Sequence, residues 1–176
     1  MEETKVILVD NNDNEIGFIS KTEAHQKAVL HRAISVFVVN SAGEWLIQQR
    51  AIEKYHSAGL WTNTCCSHPL PGETNAIAAT RRLQEEMGIE NCMLTKLFNF
   101  TYLEELENGL TEHELDHVYL GFSDQLPNMN AEEVMNFRYI TFDELKSDVA
   151  KNPDAFTVWF RRIFERVQQH IETLQN

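Results

Sequence analysis

The chain has 176 residues, 43% of them hydrophobic, which suits one domain spanning 1–176 with a buried core and excludes global disorder. Its formal net charge of −12, from 27 acidic and 15 basic residues, argues against a nucleic-acid binder but leaves room for a small phosphorylated ligand met by a few converging cations. No apolar run is long enough to span a membrane and residues 1–5 lack a secretory signal, so a cytoplasmic protein with no membrane and no obligate protein partner is expected.

In chain order, Val6–Val9 and Ile16–Ile19 flank the turn-forming run Asp10-Asn11-Asn12-Asp13-Asn14 and predict a hairpin. A short polar helix is expected over 22–28. Residues 31–39, β-branched and aromatic, predict a buried strand, and 45–49 a second strand after the turn at Asn40-Ser41-Ala42-Gly43. Residues 50–71 show no sustained period and read as one long connection, a length that usually marks function. From 74 to 87 the apolar residues fall on one side of a helix, and Gly88 stands where a left-handed stop is expected. Strands follow at 98–103, 113–122 and 137–140, the first two separated by an acidic turn containing Asn108-Gly109. Thr141-Phe142-Asp143-Glu144 opens a helix with a capping-box pattern, and Pro153 begins another running toward Gln175. Helices and strands interleave without strict alternation, which predicts an α/β fold, a mixed sheet flanked by helices.

Three cysteines, Cys65, Cys66 and Cys92, make an odd set with two adjacent members, so reduced thiols are expected; Cys65 and Cys92 read as small buried hydrophobes. If the segment that carries them is extended, Glu112 and Glu114 point to one side, and His113 and His117 to the other. On the helix, Arg82 and Glu86 share a face as an i,i+4 pair.

The helix carries most of a Nudix box: Glu73, Arg81, Leu83, Glu85, Glu86, Gly88 and Ile89 stand at its positions. Ser67 stands where the box opens with Gly, and Arg82 where it has a Glu that helps hold catalytic metals. With these departures the sequence resembles the type I isopentenyl-diphosphate isomerases of the Nudix superfamily. Five further features carry the likeness: Trp61-Thr62-Asn63 followed by Cys66, His68 and Pro69; Lys21 with His25; Leu30-His31-Arg32-Ala33; Glu112 with Glu114; and Ala155-Phe156 before Trp159.

The resemblance implies a Nudix-type mixed sheet sandwiched between helices. It also implies a metal-dependent 1,3-proton shift from isopentenyl to dimethylallyl diphosphate, a step of isoprenoid biosynthesis. A Mn²⁺, Mg²⁺ or Zn²⁺ site would comprise His25, His31, His68, Glu112 and Glu114, a donor set suited to an octahedral ion. Lys21, Arg50, Lys54 and Arg82 would bind the small-molecule diphosphate, with Mg²⁺ bridging its oxygens to Glu86. Cys66 and Glu114 would exchange the protons from opposite faces of the alkene, Tyr102 would hydrogen-bond Glu114, and Trp159 would offer its ring to the carbocation. His56, in the loop, is assigned no metal, Trp61 borders the catalytic segment as a candidate wall, and His170 is expected at the surface. A Nudix hydrolase and a non-catalytic Nudix binding module share this fold; Arg82 and Cys66 discriminate against them.

Overall fold

The computed structural model describes residues 3–176, so Met1 and Glu2, read above for a targeting signal, lie outside it. The expected hairpin forms from β1 (Lys5–Val9) and β2 (Glu15–Ser20), and leads directly into helix α1 (Lys21–Lys27), capped by the Ser20 hydroxyl. The strand β3 (His31–Val39) is the spine of a nine-stranded sheet. Along one edge it runs parallel to β8 (Thr111–Phe122), with His31 opposite Glu114 and Val39 opposite Phe122. Along the other edge three antiparallel partners take turns: β1 at His31, β6 (Cys65–Ser67) at Ile34–Val36, and β4 (Trp45–Arg50) at Val38–Val39. The strand β7 (Leu94–Glu105) borders β8, while β5 (Trp61–Thr62) and β9 (Val134–Ile140) flank β4.

The strand period decides which core each residue joins. Ile34, Val36 and Val38 pack with Ala78, Ala79, Leu83 and Met87 of α2 (Asn75–Met87). Phe37 and Val39 pack on the other face with Phe160, Ile163, Phe164 and Val167 of α4 (Val158–Gln175), joined by Leu145 and Val149 of α3 (Phe142–Lys151). The sheet is thus sandwiched between helices, as expected. The stop at Gly88 is also observed: its φ is +65°, and its N–H reaches the Gln84 carbonyl.

Two expectations need correction. Residues 50–71 are not one unstructured connection, because they contain β5 and β6. Buried Thr62, Asn63 and Thr64 hide these strands from any periodicity, since their side chains supply hydrogen bonds that an unbroken ladder would make. Asn63 Nδ2 donates to the Val36 and Cys65 carbonyls at 3.1 and 2.7 Å, and the Thr64 hydroxyl joins the Val38 N–H to the Leu46 carbonyl at 2.8 and 2.7 Å. Nor does Pro153 begin the last helix. It opens a single 3-10 turn, Phe156 then bridges to Trp61 as extended chain, the Thr157 hydroxyl is engaged by Thr62 at 2.8 Å, and α4 starts at Val158.

Candidate active site

A cavity of about 340 Å³ is lined by residues of both helical layers, Arg81 and Arg82 of α2 and Trp159 of α4. Because β8 is extended, Glu112 and Glu114 do face one way, into this cavity. Cys66 reaches it from β6, Trp159 from the first turn of α4, and Lys21, Arg50, Lys54 and Arg82 line it from four different elements. The adjacent thiols part company: Cys65 is buried in the α2 core, whereas Cys66 meets the cavity.

Behind the carboxylates lie the histidines. His25, His31, His68 and Glu114 bring one ligand atom each within 4.8 Å of one another. His68 Nε2 is 3.0 Å from Glu114 Oε1, His31 Nε2 3.4 Å and His25 Nε2 3.9 Å. The Nδ1 atoms of His25 and His31 lie 2.7 and 2.8 Å from the carbonyls of Lys21 and Val29. A carbonyl only accepts, so each Nδ1 carries the proton and each Nε2 presents a lone pair, the arrangement that orients metal-binding imidazoles. Both Nε2 atoms are buried without a hydrogen-bond partner, a costly state unless a cation is to be held. The donor set fits a divalent ion. Burial lowers the His25 pKa and takes that of His68 down to about 3, keeping both rings neutral.

The Tyr102 hydroxyl lies 2.9 Å from Glu112 Oε2 and 2.8 Å from Glu114 Oε2. With one proton it donates to only one of them, so a proton on the other completes the set. Burial, reinforced by the Glu114 charge, pushes the Glu112 carboxyl well up. Burial also works to raise Glu114, but the His31 and His68 rings beside it, at 3.4 and 3.0 Å, outweigh it and hold this carboxyl well below the usual range. The Cys66 thiol is pushed up to about 12 by burial, against the opposing charge of Arg50, whose Nη1 is 3.8 Å from Sγ.

The cations are held in readiness. Arg50 Nε and Nη2 donate to the Ser57 and His56 carbonyls at 3.1 and 3.2 Å, and its Cζ stands 5.3 Å from the Trp159 ring centre. Lys54 and Arg82 share Glu133 at the mouth, the latter at 3.2 Å. Burial and the charges of Lys54 and Arg50 press the Lys21 pKa down, against the opposing Glu114 charge.

Glu86 sits behind this wall: Oε1 accepts from Arg82 Nη2 at 2.6 Å and Oε2 from Gln48 Nε2 at 2.8 Å. Glu73 and Arg81 form a two-toothed clasp at 2.7 and 2.9 Å. Trp61 does not wall the cavity; it stacks under Arg138, 4.6 Å from ring centre to Cζ. His170 is half-buried against the Phe98 ring, 5.2 Å between centroids, rather than free at the surface.

Sequence reasoning missed Glu133, Asp116 and His56. Glu133 is disguised in an acidic run that reads as solvated surface. Asp116 follows Glu114 by one strand period and shared its signal: it lines the cavity, accepts from the Ser35 hydroxyl at 2.6 Å, and is pushed up to about 8, mainly by burial. His56 stands in the loop, with Nε2 3.4 Å from Glu112 Oε1.

Known proteins resemble this chain closely. Residues 29–160 match the NUDIX domain. The chain is 50% identical to an isopentenyl-diphosphate Delta-isomerase of Pectobacterium atrosepticum over 98% of its own length and 96% of the relative's. It is 48% identical to isopentenyl-diphosphate Delta-isomerase 2 of Aromatoleum aromaticum, over 94% and 87%. A crystal structure of a Deinococcus radiodurans protein shares the fold at a TM-score of 0.77 and 21% identity, over 92% of this chain and 98% of that one.

Proposed function

The chain belongs to the Nudix family and, within it, to the isopentenyl-diphosphate Delta-isomerases, and we propose that it interconverts isopentenyl and dimethylallyl diphosphate in the His/Glu cavity. The observation that carries this reading is the meeting of a thiol, Cys66, a carboxylate, Glu114, and the cations Lys21, Arg50, Lys54 and Arg82 around one small cavity.

The cations bind the diphosphate, exchanging the Glu133 carboxylate for phosphate oxygens. This anchors the five-carbon tail in the cavity. One of Cys66 and Glu114 gives a proton to the terminal alkene carbon, C4, and the other takes one from C2; the reverse reaction exchanges their parts. Between the two events positive charge rests on the tertiary carbon, C3, and the Trp159 ring and the Glu114 carboxylate are the groups that offset it. Tyr102 orients the Glu114 carboxylate and carries a proton between it and Glu112. The cavity's depth beside the α4 core excludes water that would trap the cation.

His25, His31, His68, Glu112 and Glu114 would hold the divalent ion, with its identity among Mn²⁺, Mg²⁺ and Zn²⁺ a matter for metal analysis. An ion there supplies positive charge that tunes the acidity of Glu114. A second cation, Mg²⁺ joining the diphosphate to Glu86, would require Arg82 to turn from Glu86 Oε1 toward phosphate. Arg82 occupies the place of a carboxylate that Nudix hydrolases use, which weighs against hydrolysis.

The test is incubation with isopentenyl diphosphate and Mg²⁺ in D2O, followed by proton NMR. Deuterium should enter the new methyl group and exchange at C2, and Cys66→Ala should abolish both. Release of phosphate without label would establish a hydrolase instead.

A further inference from the structure

Helix α4 opens on Thr157, whose hydroxyl does not serve the helix. Thr157 holds the N-cap position in extended backbone, where a threonine ordinarily turns its oxygen back onto the first free N–H groups. That bond is not made; the hydroxyl lies instead 2.8 Å from the Thr62 hydroxyl on β5. The backbone holds the same junction, with the Thr157 N–H donating to the Trp61 carbonyl at 3.0 Å.

Proton counting gives this contact a direction. The Thr62 hydroxyl donates its one proton to Asn63 Oδ1 at 2.8 Å, so it accepts from Thr157. Asn63 Nδ2 then spends both of its protons, on the Cys65 carbonyl at 2.7 Å and the Val36 carbonyl at 3.1 Å. Thr157, Thr62 and Asn63 are each 0% exposed, so water does not compete for these bonds. They also lie outside the cavity lining and apart from the cations that anchor the diphosphate.

One end of the chain of bonds stands two residues before Trp159, and the other ends on the carbonyl next to Cys66; both of these side chains line the cavity. Peptide planarity makes the Cys65 carbonyl and the Cys66 nitrogen one rigid unit, so the bond from Asn63 sets the direction in which the chain enters Cys66. Trp159 has no such bond of its own. Its indole N–H is buried without a hydrogen-bond partner among the described residues, and the ring depends on where the first turn of α4 is placed. On the reading that Cys66 moves a proton and Trp159 faces the charge at C3, we propose that Thr157, Thr62 and Asn63 are positioning residues for the reaction. Their directional chain of hydrogen bonds fixes the spacing of the Trp159 ring and the Cys66 thiol around the alkene.

Thr157→Val keeps the shape and removes the donor, and Thr157→Ser restores the hydroxyl. Turnover is counted per pyrophosphate-binding site, measured by calorimetry with inorganic pyrophosphate and Mg²⁺, so that an unfolded fraction drops out; Thr157→Ala is the second variant should Thr157→Val fold poorly. Thr157→Val should lose about 10–100-fold in kcat while binding pyrophosphate as tightly as wild type. It should bind 2-(dimethylamino)ethyl diphosphate, whose protonated nitrogen stands where C3 carries charge, about 10-fold more weakly. Thr157→Ser should recover most of both losses. Unchanged kcat, equal losses of pyrophosphate and amine affinity, or no recovery in Thr157→Ser would overturn the proposal, because the chain of bonds would then serve the fold alone. Trp159→Leu separates the underlying reading: if it binds the amine as tightly as wild type, the part given to Trp159 fails, and the proposal with it, whatever Thr157→Val does.

Discussion

His31 and Glu114 are direct partners on the parallel strands β3 and β8, and their side chains meet at 3.4 Å from Nε2 to Oε1. Two residues far apart in sequence are thus fixed by backbone register, with no loop in between to flex. His31→Ala should leave the strand pairing intact, since the ladder is made by the backbone. Metal affinity should fall by at least the about 10–100-fold that loss of an outer partner costs. Metal analysis after dialysis, beside a circular dichroism spectrum, checks both halves.

Cys66→Ala removes one of the proposed proton carriers but none of the cations. Turnover should drop by about 10²–10⁴ or more, while KM, set by the diphosphate anchors, moves little. The melting temperature should stay within a few degrees of wild type. An active Cys66→Ala enzyme would end the proposed chemistry.

Arg82 shields Glu86, whose side chain is 4% exposed. Arg82→Ala leaves that carboxylate buried with only Gln48 as partner, at a cost of about 3 kcal/mol. Arg82→Ala combined with Glu86→Gln should recover part of the loss, because no charge is then stranded. Urea unfolding of the two variants measures the difference.

Gly88 turns left-handed at φ +65°, and a Cβ there would stand 2.5 Å from the Asn128 carbonyl oxygen. The backbone penalty for another residue is about 1–2 kcal/mol, and the collision adds to it. Gly88→Ala should therefore destabilise by about 2 kcal/mol or more, seen as a lower midpoint in urea.

His117 is buried, with Nε2 3.0 Å from Asp13 Oδ2, and burial with the Lys96 charge lowers its pKa to about 4. The folded value lies below the unfolded one of about 6.5. Its contribution to stability is therefore present above pH 6.5 and lost as pH falls toward 4. The melting-temperature gap between wild type and His117→Gln should shift against wild type over that window. A constant gap from pH 7.5 to 4.5 would show that His117 does not titrate this way.

The β-branched run of β3 and the apolar stripe of α4 gave the layers away because each obeys a single period. The start of α4 escaped, since Thr157 looks like a helix cap but spends its hydroxyl on Thr62. The strands β5 and β6 escaped because side chains of Asn63 and Thr64 stand in for ladder bonds. At the site, the two-residue strand period put Glu112 and Glu114 on one face, while their part as ligands came from the family likeness. The remaining expected ligands needed the family likeness, because nothing local links His25 to His68. His56 was legible in neither way: it reaches Glu112 only through the tertiary fold of a loop whose shape is set by Arg50 and Glu107.

The convergence of Lys21, Arg50, Lys54, Arg81 and Arg82 on one mouth, in a chain of net charge −12, has a kinetic meaning. An anion diffusing nearby is repelled by most of the surface and drawn by one spot, so the field sorts collisions before any contact is made. Added salt, whose screening length is about 10 Å at 0.1 M, blurs repulsion and attraction alike. Its mark would fall on the capture of substrate, kcat/KM, and spare kcat, the step that takes place out of reach of the solvent ions.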